Sequence, residues 1–276
     1  MIFTFKTRYD AASHAAAAPT CLADTPGGAV PDMKSSFKNW LKRLVFPGLD
    51  LHTRCRYRWL PPLFLSGPIE TLDVGFGNGA FSWAAARKGN RVTAISLNQG
   101  QVDKAKEFFG LREPIEFLCL NAYGLQRLGT RFDQILCLET LEHISDDRGM
   151  ILLFYDLLRP GGVLQLCCPN AAHPHHHLGR VNGPEDGGHV RDGYTLESYR
   201  TLLEPAGFVT QTHLGIGSAI LITLDLPIRW IRNRLGDALA LPVFMLVWPI
   251  VYLVDRPGPP VPYSWHIVAR KPKLDF

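Results

Sequence analysis

Apolar positions in the middle of the chain fall into short runs, most of them closed by glycine, proline, asparagine or an acid. Residues 71–74, 91–96, 115–120, 132–138 and 162–168 read as buried strands on this pattern. Between them, apolar residues recur at helical spacing over 79–88, 99–109 and 147–158, the last stopped by Arg159-Pro160-Gly161-Gly162. Short apolar strands separated by helices predict a parallel sheet covered on both faces. With right-handed crossovers this is a doubly wound α/β domain, Rossmann-like in its winding. Residues 195–204 predict another helix, and 208–214 and 263–270 a sixth and a seventh strand. Two helices, 33–46 and 51–60, are expected before the first strand, closed by Pro47-Gly48 and Pro61-Pro62.

Two segments break this rhythm. The first 33 residues are Ala/Pro/Gly-rich without a continuous apolar core, and read as a poorly ordered leader rather than a signal peptide. Residues 218–262, between the last two strands, form an unusually apolar helical insertion. Its densest part, 238–254, is short against the roughly 20 residues of a spanning helix. Pro242 and Pro249 weaken a helix there further. Upstream, Arg229, Arg232 and Arg234 flank Ile228, Trp230 and Ile231, a basic-aromatic pattern suited to an anionic membrane interface. Two readings stand side by side: a greasy lid or peripheral membrane contact, or a cap buried against the domain or a homodimer partner. The expected division is 1–33 leader, 34–62 N-terminal helices, 63–217 α/β core, 218–262 insertion and 263–276 final strand and tail.

Composition narrows the class. At 276 residues the chain suits one decorated α/β domain, and a net charge of +4 without a dense Lys/Arg run argues against a nucleic-acid partner. Of the six cysteines, Cys119, Cys137, Cys167 and Cys168 sit inside strand patterns, as small core residues of a reducing compartment. The expected location is cytoplasmic, with contact to the inner face of a membrane.

The candidate chemistry starts where the first strand meets its helix, in Asp73-Val74-Gly75-Phe76-Gly77-Asn78-Gly79. Glycines at 75 and 77 let the backbone turn tightly and approach a ligand, and Gly79 permits close packing. Further blocks follow in order: Ser96-Leu97 with Gln101, Leu120-Asn121-Ala122, 132–143, and Leu158-Arg159-Pro160-Gly161-Gly162. Together these resemble the class I S-adenosylmethionine (SAM)-dependent methyltransferases, of the type 11/12 kind, with similarity to ubiquinone-pathway O-methyltransferases. The resemblance covers about 57–207 and implies a seven-stranded sheet with the insertion between its last two strands. It implies SAM as cofactor, held by Asp73, Gly75, Phe76, Gly77, Asn78, Gly79, Ser96, Leu97, Gln101, Asn121, Ala122, Leu138 and Tyr57. Arg54 and Arg56 are further candidates, over the SAM carboxylate or on an exposed helix face. The family usually closes its second strand with an acid. Ser96 with a Gln five residues on departs from that and is similar to cyclopropane-fatty-acid-synthase-type members.

Methyl transfer to a hydroxyl requires alignment and removal of a proton. Glu139, His143 and His189 are the catalytic candidates at the carboxyl ends of the fourth and fifth strands. The spacing Glu139-x-x-Glu142-His143, completed by His189 (or His173), resembles a divalent-metal motif, for magnesium or zinc; the alternative is that these residues only fix the loop. His175, His176 and His177 look metal-like but read as solvated loop histidines. Arg191 and Tyr194 are expected to meet the acceptor or to pack at a helix entry. The expected acceptor is a small molecule: hydrophobic, lipid-linked or a glycan or secondary-metabolite hydroxyl. Lipid C-methylation or cyclopropanation, and a non-catalytic SAM-binding scaffold, are the alternatives.

Overall fold

The structure, a computed structural model, describes residues 46–110, 114–174, 185 and 188–273. The leader, nearly all of the helix expected over 33–46, Cys21 and His175–His177 lie outside the described residues.

Seven strands form one sheet: β1 (Glu70–Val74), β2 (Arg91–Ser96), β3 (Ile115–Cys119), β4 (Phe132–Leu138), β5 (Leu158–Pro169), β6 (Val209–Ile216) and β7 (Ser264–Arg270), in the order β3-β2-β1-β4-β5-β7-β6. The sheet is mixed rather than parallel throughout. β7 enters between β5 and β6 and runs antiparallel to both, which leaves β6 pointing the same way as β5. An antiparallel neighbour needs no crossover over a sheet face, so the long connection from β6 to β7 leaves and re-enters at the same edge of the sheet.

The helices are α1 (Leu51–Trp59), α2 (Ala80–Arg87), α3 (Gln99–Phe109), α4 (Asp147–Leu157), α5 (Leu196–Leu203), α6 (Ala219–Leu235) and α7 (Asp237–Val254). Their starts follow the side-chain chemistry: Asp50, Asn98, Asp146, Thr195 and Ser218 each accept a backbone N–H from the first turn of the helix they open. β5 begins at Leu158, earlier than the glycines suggest. Leu158 pairs with Phe132, and the register then shifts between Phe132 and Gln134, so Pro160-Gly161-Gly162 is absorbed as an irregularity instead of delaying the strand.

Two apolar cores cover the sheet. One joins Leu51, Ala85, Val92, Phe117 and Leu136 to Leu221, Phe244 and Val251 of the insertion. The other gathers Ile135, Phe154, Leu164, Tyr199 and Leu203 under α4 and α5. Inside the strands runs a buried polar ladder. His266 Nε2 donates to Gln165 Oε1, Gln165 donates to Gln134 Oε1, and Gln134 reaches Thr71 and Asn90. The same side chains hold the incoming segment through Leu63 O, Leu65 and Gly67 O. Burial pushes the His266 imidazole down to about 3, so it is the neutral ring that pairs here.

The insertion is a pair of helices packed against each other and against α1. α7 runs unbroken through Pro242 and Pro249, contrary to the expectation that they weaken it. Each proline removes one backbone hydrogen bond, and the packed stripe of Ala240, Phe244 and Val251 holds the helix across them.

Candidate active site

β1, β2, β4, β5 and β6 end on one edge of the sheet, where doubly wound domains bind ligands. On this edge the chain turns from Val74 into α2. Gly75 has φ of +75°, and a Cβ there would meet Thr140 Oγ1 at 2.2 Å. Gly79 has φ of +78°, and a Cβ would meet Phe109 of α3 at 2.6 Å. Gly77 differs: φ is +57° and the space around its missing side chain is open. The outer glycines serve packing, and the middle one leaves room for a ligand.

Asp73, 2% exposed, accepts from Ser82 Oγ at 2.5 Å. Burial pushes its carboxyl up to about 6 against the lowering effect of that bond. Phe76 turns its ring into the core against Phe117. Asn78 caps Ala80 N with its oxygen and donates to Pro47 O, tying the segment before α1 across the glycine turn. At the end of β2, Ser96 Oγ donates to Gln101 Oε1 at 2.7 Å. That contact occupies the amide oxygen and leaves the Gln101 NH2 for a ligand. Leu97 is exposed beside it, Leu138 is buried at the end of β4, and Asn121 caps Tyr123 N ahead of Ala122.

A cavity of about 650 Å³ opens over this turn. Phe46, Gly48, Gly77, Asn78, Gln101 and Phe108 line one side, and Arg232, Asp237 and Leu241 of the insertion close the other. Sequence reasoning missed Phe46 and Phe108, which stack at 5.7 Å between centroids. Tyr57 lies against Phe46 and Phe81, in the same aromatic group, and is not among the lining residues.

After β4 the structure separates residues that the Glu-x-x-Glu-His spacing suggested would act together. Glu139 takes a left-handed φ of 53° and pairs with the buried Arg56 of α1 at 2.5 Å. Arg56 is therefore no exposed helix face, and Glu139 is committed to an ion pair away from the histidines. Glu142, His143 and His189 do meet, with ligand atoms all within 4.8 Å of one another. His143 Nδ1 lies 2.9 Å from Gly188 O, and the two imidazoles stand edge to face at 4.6 Å. Glu142 is fully buried, and neither carboxylate oxygen has a hydrogen-bond partner among the described residues. Burial, and then the charge of Glu139, push its carboxyl up to about 8. His173 is not in this group; it is buried against Tyr263.

Arg191 and Tyr194 have structural partners. Arg191 donates to the carbonyls of Ile144 and Ser145 and pairs with Asp147, while Tyr194 donates to Asp147. They brace the turn that carries Glu142 and His143. A second polar group went unforeseen. His52 lies 3.6 Å from the buried Asp225 of α6 and 4.3 Å between centroids from Tyr263. Asp225 is a lone acid in an apolar helix, which was the available signal.

Residues 72–166 match the family model of the methyltransferase domain. Over that stretch the chain is similar to class I SAM-dependent methyltransferases. A ubiquinone biosynthesis O-methyltransferase of Coxiella burnetii is 37% identical over 96 residues, 34% of this chain. The chain spans only 41% of that relative's length. Two solved structures share the fold of the methyltransferase domain. A SAM-dependent methyltransferase from Mesorhizobium loti has a TM-score of 0.53 at 18% identity over 80% of this chain and 99% of its own. Haemonchus contortus phosphoethanolamine N-methyltransferase 2, in complex with SAM, has a TM-score of 0.55 at 16% identity over 87% of this chain and 57% of its own.

Proposed function

We propose that the chain transfers a methyl group from SAM to a hydroxyl of a small hydrophobic or lipid-linked acceptor. The observation carrying this reading is the open turn at Gly77, with Gln101 beside it, on the wall of a cavity roofed by the apolar insertion. These residues fit SAM: a backbone bend without side-chain obstruction, an amide donor for ribose hydroxyls, and the Asp73 carboxylate beneath the amino-acid half. Bound there, SAM supplies an electrophilic methyl carbon. The protein then has to align an oxygen with it and accept that oxygen's proton.

His143 and His189 are the proton acceptors in this reading, and Glu142, beneath them, favours a cationic neighbour. A divalent ion fits the same three residues, because neither oxygen of the buried Glu142 carboxyl has a hydrogen-bond partner among the described residues. Glu142, His143 and His189 would hold it, and it would lower the pKa of an acceptor hydroxyl. Glu139 takes no part in that set; it fixes α1 to the end of β4 through Arg56. The ubiquinone-pathway relative supports oxygen as the methylated atom.

Mass spectrometry of a cell extract incubated with the protein and deuterated-methyl SAM tests the reading. An extract lipid or quinol labelled on oxygen is the expected product. Label only on carbon or nitrogen, or no label despite SAM binding, overturns it.

A further inference from the structure

The insertion has an outer face that the domain does not use. On α7, Ala240, Phe244 and Val251 are buried against the protein, while Leu239, Leu246, Ile250 and Leu253 point away at helical spacing, Leu246 and Leu253 being 75% and 68% exposed. Nothing between Ala238 and Val254 is charged. α6 adds Leu226 and Trp230, both more than half exposed. Ile228 is buried instead, so of the aromatic-basic pattern it is Trp230 that faces outward with the arginines.

Two occupants could cover such a face, and charge separates them. Arg229, Arg232 and Arg234 lie in the last turns of α6, against a single exposed acid in the pair of helices, Asp237. A second copy would bring the same excess of arginine and only its own Asp237 to meet three arginines, because a two-fold interface must be self-complementary. An anionic headgroup layer is complementary to arginines bordering an apolar stripe. α7 is also the one helix among the described residues long and apolar enough to cross a bilayer. Its inner face rules out spanning. Arg54 of α1 lies over Phe244 at 4.8 Å and Trp248 at 5.4 Å, and Arg58 donates to Tyr252 O. Those guanidinium groups belong to the polar side of an interface.

We infer that α6 and α7 dock the protein flat on an anionic phospholipid surface, with Leu246, Ile250 and Leu253 sunk below the headgroups and Arg229 and Arg234 among them. Leu241, on the same helix, lines the cavity over the glycine turn, so docking sets that cavity beside the bilayer. The docking stands without any assumption about turnover. Only its service in acceptor delivery rests on the function proposed above.

Co-sedimentation with phosphatidylcholine vesicles, with and without phosphatidylglycerol, reads the docking alone. The full chain pellets with the anionic vesicles, releases as salt rises, and stays in solution with phosphatidylcholine alone. Arg229→Gln and Arg234→Gln each weaken association about fivefold. Leu246→Asp with Leu253→Asp abolishes it while calorimetric SAM binding persists, showing that the variant is folded. Equal pelleting on neutral vesicles overturns the inference. So does absence of pelleting, including the case in which light scattering finds a dimer that Leu246→Asp dissolves.

Discussion

Asp73 carries opposing demands. Its carboxyl is buried with one hydroxyl donor, and its pKa stands raised from 3.8 to about 6. The folded protein therefore holds a proton that the unfolded chain has released. The stability this confers is fully present below about pH 4 and lost as pH rises through about 6, a difference of about 3 kcal/mol. Asp73→Asn removes that dependence, since a neutral amide can still pair with Ser82. Urea midpoints should show the variant gaining on the parent between about pH 4 and about pH 8, while SAM binding weakens. An equal deficit at both pH values would contradict this. Gly75→Ala faces both a left-handed backbone and Thr140, and should lose about 2–4 kcal/mol in the same assay. The glycines and Asp73 were legible in sequence because backbone turns require specific residue types. The partner of Glu139 was not. Arg56 is one of three arginines in a helix read either as reaching the SAM carboxylate or as an exposed basic face, and only the third dimension brings it to β4.

At the scale of elements, the Arg56–Glu139 pair fastens α1 to the end of β4, close to the cofactor edge. Glu139→Ala leaves a buried guanidinium unpaired and should cost about 3 kcal/mol. In a double-mutant cycle with Arg56→Met, much of that loss should return. Independent, additive losses would show that the pair is not coupled. The turn from Leu141 to His143 depends similarly on Arg191, whose bonds to Ile144, Ser145 and Asp147 hold Glu142 and His143 in place. If these residues bind a divalent ion, magnesium or zinc should raise the melting temperature of the parent protein and leave Glu142→Ala unchanged. An equal rise in both would place the ion elsewhere. Strands and helices were read within a few residues because buried strands carry their own pattern. The direction of β7 was not readable, since a buried antiparallel strand has the same apolar pattern as a parallel one.

The whole molecule brings three separate stretches of sequence to one cavity: the segment before α1, the glycine turn with α3, and the start of α7. The insertion was visible as a change in composition, and its position over the active edge follows from β6 running parallel to β5. Its packed inner stripe and exposed outer stripe could not be told apart in a helix apolar all round, because periodicity carries no information where every position is greasy. Titration calorimetry with SAM and its demethylated product tests the account most directly. One equivalent of each should bind, and Gln101→Ala should weaken both about tenfold through the loss of its amide contacts. Affinity for a nicotinamide dinucleotide with none for SAM would contradict it.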